Sequence, residues 1–462
     1  MKITLQGAAG GEVTGSAYLV ESNTASVLVD CGLFQGTHQA EALNHGPVGA
    51  TPLAAVVLTH AHLDHTGRLP LLCRSGFDGP IYATPATIDM TGLILRDAAK
   101  IQAQDTDRHN RKRLRAGEPP LQPLYTLADV DKTLSQLRPV QYHAPLAVAP
   151  GVQASFFEAG HMLGSASIQL SIEEDGHQRT IVFSGDLGPK NAPILRDAEL
   201  FSRADLVFME STYGDRDHRP FADTVQEFVQ IVSQTVAQKG KLLVPTFAVG
   251  RAQMLTALLA WAFRNKHVAP FPVFLDSPMA IEASQIYNRH TELFDAEALA
   301  FLKAKPLAGD LATLRMTVSP EESRQINDVP GPCLVMAGAG MCNAGRILHH
   351  LRHNLWNPQT HVLIVGYQGN GTLGRLLVDG AKKVTIYGET IAVKAQIHTL
   401  GGFSAHAGQS DLLAWFSSLA PSKPRVVLTH GDSGPRAALA KLISERFGLT
   451  PYLPAMGETI TL

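Results

Sequence analysis

Cysteine is scarce and scattered. Cys31, Cys73, Cys333 and Cys342 are the only four in 462 residues, and none forms a C-x-x-C pair. That spacing excludes a disulfide framework and a thiolate zinc site, and it fits a reducing compartment, with the cytoplasm the expected location. Long apolar runs are missing as well. No stretch of about 18 residues is apolar throughout, which leaves nothing to cross a membrane. The opening "MKITLQGAAGGEV" is broken by Gln6, several glycines and Glu12, so it has no signal-peptide core. Nor does either sign of charge dominate: 39 Lys and Arg oppose 41 Asp and Glu, for a net charge of −2. A polyanionic substrate therefore finds no global field here and must be held by a local basic groove or by metal. With 45% hydrophobic and 17% charged residues, the chain is expected to be a soluble globular protein with room for two sizeable domains.

What is present is a strand-rich first half. "KITLQG", "SAYLVES", "SVLVDCG", "AAVVLTH", "PIYATP", "VQASFFEAGH", "SIQLSIEE" and "RTIVFSGD" read as short strands. Asp30, His60, His161 and Asp186 each close one of these apolar runs, as expected if strand ends converge on one edge. From about residue 206 the rhythm becomes β/α alternation, with "DLVFMES", "KLLVPTF", "PVFLDS", "CLVMAG", "HVLIVGY" and "KVTIYGE" as strands of a parallel sheet. After about residue 389 the earlier style resumes. The expected organisation is one domain, residues 1–205 and 389–462, interrupted by an inserted domain at 206–388.

The densest chemical signal is "LTHAHLDHTGRLP", residues 58–70, with His60, His62, Asp64 and His65 inside six positions. In extended backbone His60 and His62 point the same way, and a bend into helix turns Asp64 and His65 toward a neighbouring point, so one segment can feed two metals. Imidazole and carboxylate donors without thiolates suit zinc, with manganese or iron as alternatives. Further donors have to come from elsewhere. His161 in "FEAGHMLGSA", Asp186 in "VFSGDLG" and His430 in "VVLTHGD" each follow an apolar strand.

"SVLVDCG", "LTHAHLDHTGRLP", "EAGHMLGSA" and "IVFSGDLG" resemble the first four motifs of the metallo-β-lactamase superfamily. "FMESTYGDR", "GGFSAHAGQ" and "VVLTHGD" resemble the three further motifs of its β-CASP nucleases, and "VPTFAVGRAQ", "LDSPMA", "GAGMCNAGRILHHL" and "VGYQGNGTLGR" resemble segments of the β-CASP insert. The resemblance implies an α/β fold, a metallo-β-lactamase αββα sandwich carrying an inserted β-CASP domain with a mainly parallel sheet. It implies two zinc ions per chain, His60, His62 and His161 holding one, Asp64, His65 and His430 the second, and Asp186 bridging both. Asp30 takes the place of a buried aspartate that orients a ligand. A metal-activated hydroxide attacks a phosphodiester in line, His406 protonates the leaving oxygen and Glu210 orients His406, with Asp64 and Asp186 counted among the catalytic groups.

The histidine in "GGFSAHAG" is similar to that of the RNA-processing branch, in particular to bacterial relatives of the pre-mRNA 3′-end processing endonuclease. The implied substrate is single-stranded RNA, admitted to a groove beneath the insert and cut endonucleolytically. DNA or another phosphodiester, or a scaffold that binds RNA without cutting it, are the alternatives; a homo-oligomer is allowed.

Other features compete for attention. Arg251, Arg346 and Arg375 are candidate phosphate binders, or plain surface arginines. The basic run "RHNRKRLR", residues 108–115, could touch RNA, although a solvated helix face explains it as well. "GNGTLG", residues 369–374, with Glu389 twenty residues beyond Gly369, formally matches a dinucleotide fingerprint, but close packing is favoured over NAD. His349 and His353 share a helix face without a neighbouring carboxylate. No internal repeat is expected.

Overall fold

A computed structural model describes residues 1–46, 52–369 and 371–462. The chain separates into two compact units, Met1–Asp217 with His406–Leu462, and His218–Ala405.

The first unit is built on two sheets. One orders its strands Thr459–Thr461, Lys2–Leu5, Tyr18–Glu21, Ser26–Val29, Ala55–Val57, Ile81–Ala83 and Leu137–Pro139. The other runs Arg425–Thr429, Leu206–Glu210, His177–Phe183, Ala166–Glu174, Val152–Glu158 and Leu146–Ala149. Their period-two alternation decides the layering. Val27 and Val29 from one sheet meet Phe156, Ile181, Phe183 and Phe208 from the other in one buried core. The intervening residues point outward to helices. Leu28 and Val56 pack with Leu95 of helix Pro85–Arg115 and Val130 of helix Leu127–Ser135. Val182, Val207 and Leu428 pack with Phe416 of helix Gln409–Ser417 and Leu439 of helix Ser433–Phe447. Each sheet thus buries both faces, and the order of layers is αββα.

His177–Phe183, Leu206–Glu210 and Arg425–Thr429 deliver their C-terminal ends to one edge, because Leu206–Glu210 pairs in parallel with both of its neighbours, and Ala55–Val57 of the other sheet ends close by, with His60 3.5 Å from Asp186. Loops at that edge carry the candidate residues, as is usual for the C-terminal ends of parallel strands.

The second unit holds a six-stranded sheet in the order Leu314–Met316, Val273–Leu275, Cys333–Ala337, Lys241–Pro245, Thr360–Ile364 and Gln396–Thr399, parallel at every pairing. Helices such as Phe221–Ala237 and Arg251–Arg264 cover one face, and Ile347–Asn354 and Leu373–Val378 the other.

The boundaries at 205/206 and 388/389 differ from those of the compact units. Leu206–Glu210, expected to open the insert, is a fully buried strand in the second sheet of the first unit. "IHTLGG" supplies the edge strand of the parallel sheet. "KVTIYGE" is no member of that sheet: Lys383–Ile386 forms a separate hairpin with Glu389–Ala392, turned at Tyr387 and Gly388, both with positive φ.

Candidate metal centre

The segment after strand Ala55–Val57 bends at Thr59 and then enters the four-residue helix Leu63–Thr66 with His62 at its N-cap. Asp30, in the left-handed region at φ 59, anchors it from below by accepting the Thr59 N–H at 2.8 Å and the Thr59 hydroxyl at 2.7 Å. Two glycines allow the loops to close on one another. A Cβ at Gly32 would lie 1.6 Å from the Asp64 carbonyl oxygen, and one at Gly188 would lie 1.9 Å from that of Gly160, between the loops bearing Asp186 and His161.

The result is two adjoining donor clusters, His60, His62, His161 and Asp186 in one and Asp64, His65 and His430 in the other, with a third group, Asp186, Glu210 and His406, sharing Asp186. Asp186 faces the first two. Its Oδ2 lies 3.5 Å from His60 Nε2 and from His161 Nε2, and its Oδ1 lies 3.4 Å from His65 Nε2 and from His430 Nε2. Within the clusters His161 Nε2 is 3.1 Å from His62 Nδ1, and His430 Nε2 is 3.4 Å from Asp64 Oδ2. Donors bound at about 2.0–2.1 Å around a tetrahedral ion stand about 3.3 Å apart, so these separations fit zinc without rearrangement. Two buried atoms, His60 Nε2 and Asp186 Oδ1, have no hydrogen-bond partner. Such orphans are costly unless a cation satisfies them.

The electrostatics agree. Burial, helped by the neighbouring His65, pushes His60 well below the usual imidazole range, and burial also lowers His62. Both shifts favour the neutral imidazole that metal binding requires. Burial works against ionised Asp186, yet His430, His65 and His60 hold its carboxyl well below the usual carboxylate range. Asp64 is lowered against burial in the same way by its hydrogen bond to His430 and the charge of His65. His65 and His430 are raised despite burial, chiefly by Asp186, with Asp30 also acting on His65 and Asp64 on His430. Asp30 Oδ2 meets His65 Nδ1 at 2.7 Å, which turns His65 Nε2 inward.

His406 stands beside this centre with its ring partly exposed. Its Nδ1 is 3.3 Å from Glu210 Oε1 and 4.0 Å from Asp186 Oδ2. Glu210 is fully buried and accepts the Leu187 N–H at 2.7 Å and the Thr212 N–H at 3.2 Å. Burial pulls the His406 pKa down, but the charge and hydrogen bond of Glu210, then Asp186 and Asp64, carry it up to about 9.

Three family models match the chain: the metallo-beta-lactamase superfamily over residues 10–246, the Beta-Casp domain over 252–377, and the Zn-dependent metallo-hydrolase RNA specificity domain over 390–454. This chain belongs to the metallo-beta-lactamase superfamily and carries its Beta-Casp domain. Among its β-CASP relatives, the ribonuclease TTHA0252 of Thermus thermophilus is 43% identical over the whole of both chains. The transcription termination factor FttA of Cenarchaeum symbiosum is 31% identical over 98% of this chain and 70% of its own, and that of Pyrococcus abyssi is 30% identical over the same shares. A crystal structure of a protein of unknown function from Enterococcus faecalis shares the fold, with a TM-score of 0.57 at 15% identity over 100% of this chain and 99% of that one.

The remaining candidates lie elsewhere in the β-CASP unit. Arg346 donates to Asp276 at 2.7 Å and to the Thr317 carbonyl, Arg375 pairs with Asp379 at 2.9 Å, and Arg251 donates to the Val365 carbonyl. All three make intramolecular bonds that already engage part of each guanidinium. His349 lies against Tyr387 with the rings tilted by 32°, and His353 contacts Arg352. The buried histidine of that helix is His350, 2.7 Å from Asp276. In "GNGTLG" Asn370 lies outside the described residues, and a Cβ on Gly374 would meet Gln368 Oε1 at 1.6 Å, which assigns that glycine to packing.

Two supporting residues escaped sequence reasoning. Thr59 ties Asp30 to the first ligand segment, and the Thr212 hydroxyl sits 3.2 Å from His430 Nδ1. A short repeat held a clue: "VVLTH" occurs at 56–60 and again at 426–430. The second copy ends strand Arg425–Thr429 with its threonine, the first runs two residues past strand Ala55–Val57, and each leads into a histidine of the candidate site.

Proposed function

We propose that this chain is a zinc-dependent ribonuclease that hydrolyses phosphodiester bonds within single-stranded RNA. The observation that carries the reading is Asp186, which offers one oxygen to each donor cluster. His60, His62 and His161 would hold one zinc ion, Asp64, His65 and His430 the second, and Asp186 both; manganese suits the same donors. When bound, a metal pair supplies Lewis acidity at the scissile phosphate and lowers the pKa of the attacking water. Asp30 keeps the His65 ring in ligating orientation, the usual role of a carboxylate behind a metal-bound imidazole. His406 gives a proton to the leaving oxygen. Glu210, held by two backbone N–H groups, fixes the His406 ring and favours its protonated form.

RNA as substrate is supported by the RNA specificity model, which spans both His406 and His430, and by the ribonuclease relative. Four cysteines buried as free thiols support a cytoplasmic location, and among the described residues no helix is long and apolar enough to cross a membrane. The reading is tested by giving zinc-loaded protein RNA and DNA oligonucleotides of matched sequence, each labelled at either end. Internal cuts in RNA alone are expected. Equal rates on DNA would make the chain a general phosphodiesterase, and no cleavage of either at full metal occupancy would make it a binding protein.

A further inference from the structure

Helix Pro85–Arg115 is 31 residues long, and the core uses only its first half. Its start is fixed beside the metal centre, where the Thr84 and Thr87 hydroxyls donate to the Gly164 carbonyl at 2.7 and 2.8 Å, three residues beyond His161. Its buried residues run from Ala86 to Ala99. From Lys100 to Arg115 none is buried.

A helix without a buried face has to be tied locally, and one face of this segment is. The Asn110 amide exchanges bonds of 2.9 and 2.7 Å with the Leu121 backbone, and Arg113 binds the Pro119 carbonyl at 2.8 Å and Glu118 at 2.7 Å. The chain that returns past the helix end therefore clasps the face bearing Asn110 and Arg113.

The opposite face is cationic. At about 100° per residue, Arg108, Arg111, Lys112 and Arg115 fall on one stripe turned away from the clasp. All four are exposed. Arg108 has Asp105 at 3.5 Å, and among the described residues no carboxylate lies within ion-pair reach of Arg111, Lys112 or Arg115. Like charges three and four apart on a helix destabilise it. The helix dipole repays cations only in the last turn and selects no face, so it leaves Arg108 and the one-sided arrangement unexplained.

We propose that the stripe Arg108, Arg111, Lys112 and Arg115 is an exosite for the phosphate backbone of RNA that extends beyond the metal centre. The proposal rests on the ribonuclease reading. From Arg108 to Arg115 the helix rises about 10 Å, and a stacked strand with a phosphate about every 3.4 Å presents roughly three phosphates over that distance. No Phe, Trp or Tyr lies between Lys100 and Arg115 to stack a base, so the stripe meets the backbone and is indifferent to sequence. About 40 Å of helix separates Thr84 from Arg111. Only RNA long enough to span that interval reaches the stripe.

The test compares zinc-loaded full-length wild type with a triple variant, Arg111→Gln, Lys112→Gln and Arg115→Gln. A control, Lys2→Gln, Arg179→Gln and Lys441→Gln, removes the same charge from other exposed positions of the same unit. Each protein receives a short and a long oligouridylate over a range of salt. In the triple variant KM for the long RNA is expected to rise about tenfold, and the salt slope of its binding to fall by about 0.7 for each phosphate that the stripe no longer neutralises. Its kcat, its short-RNA kinetics and the control protein should stay at wild-type values. Equal KM changes on both RNAs, the same change in the control, or an unaltered salt slope would overturn the exosite. So would an unaltered RNA slope accompanied by lost binding to anionic phospholipid vesicles. The slope is read from binding as well as turnover: wild type that binds long RNA through the stripe yet cuts nothing would sink the ribonuclease reading and leave the exosite standing.

Discussion

His406 Nδ1 lies 3.3 Å from Glu210 Oε1, across 196 residues of sequence, with Glu210 fixed in turn by the Leu187 and Thr212 N–H groups. A buried carboxylate that immobilises a partly exposed imidazole and raises its pKa is the arrangement a general acid requires.

Replacing His406 with Ala removes the proposed acid but none of the seven proposed ligands. Metal content should stay at the wild-type level while RNA cleavage falls by about 10²–10⁴-fold. With bis(p-nitrophenyl) phosphate, whose leaving group needs no proton, the loss should shrink to a few-fold. A metal-replete variant with normal RNA turnover would remove His406 from the reaction.

Glu210→Gln keeps the shape and removes the charge that raises His406. An acid with a raised pKa stays protonated until the pH climbs through that value, so the rate falls on the alkaline side. Without the Glu210 charge the His406 pKa drops, and the alkaline limb of the kcat profile should move to lower pH. An alkaline limb that stays in place would separate Glu210 from the acid.

Zinc uptake should depend on pH differently at the two clusters. His65 and His430 have raised pKa values and must lose protons to bind metal, whereas the lowered values of His60 and His62 favour the neutral form. Affinity at the Asp64, His65 and His430 cluster should therefore weaken more steeply as pH falls. Calorimetry in buffers of different ionisation enthalpy counts the protons released. In Asp30→Ala, which loses the partner of His65, metal affinity at this cluster should drop about 10–100-fold.

In the β-CASP unit Asp276 accepts from His350, Ser323, Thr317 and Arg346 at 2.6–2.7 Å. Burial acts to raise its pKa, but these four donors hold it below the usual carboxylate range. Because the folded pKa lies below the unfolded one, the stabilisation is complete above about pH 4 and is lost as pH falls through the folded value. Asp276→Asn should cost about 3–5 kcal/mol at neutral pH, the usual range for breaking a buried ion pair. The gap should narrow in acid, and urea unfolding at several pH values reads it directly. A gap independent of pH would assign the loss to packing.

The donor clustering was legible where it was dense. Four donor residues within six positions announce a site, and strand-plus-bend geometry already divides them into two pairs. His161, Asp186 and His430 each stand alone after a strand, and only the family motifs joined them to it. Thr59 and Thr212 act through hydroxyls that any loop could carry. The domain boundary slipped at Leu206–Glu210 because a parallel strand buried on both faces has the same apolar pattern in either unit. On helix Ile347–Asn354 the i, i+4 pair His349 and His353 drew attention, while the histidine hydrogen-bonded to a buried carboxylate is His350 between them. Its partner Asp276 is distant in sequence, so no local pattern marks it.

A two-metal ribonuclease is put to the sharpest test by a zinc titration of metal-stripped protein, followed by cleavage of single-stranded RNA labelled separately at each end. Internal fragments should form at a rate that climbs to a plateau at two equivalents of zinc per chain. Protein that holds both equivalents and leaves the RNA intact would contradict the assignment.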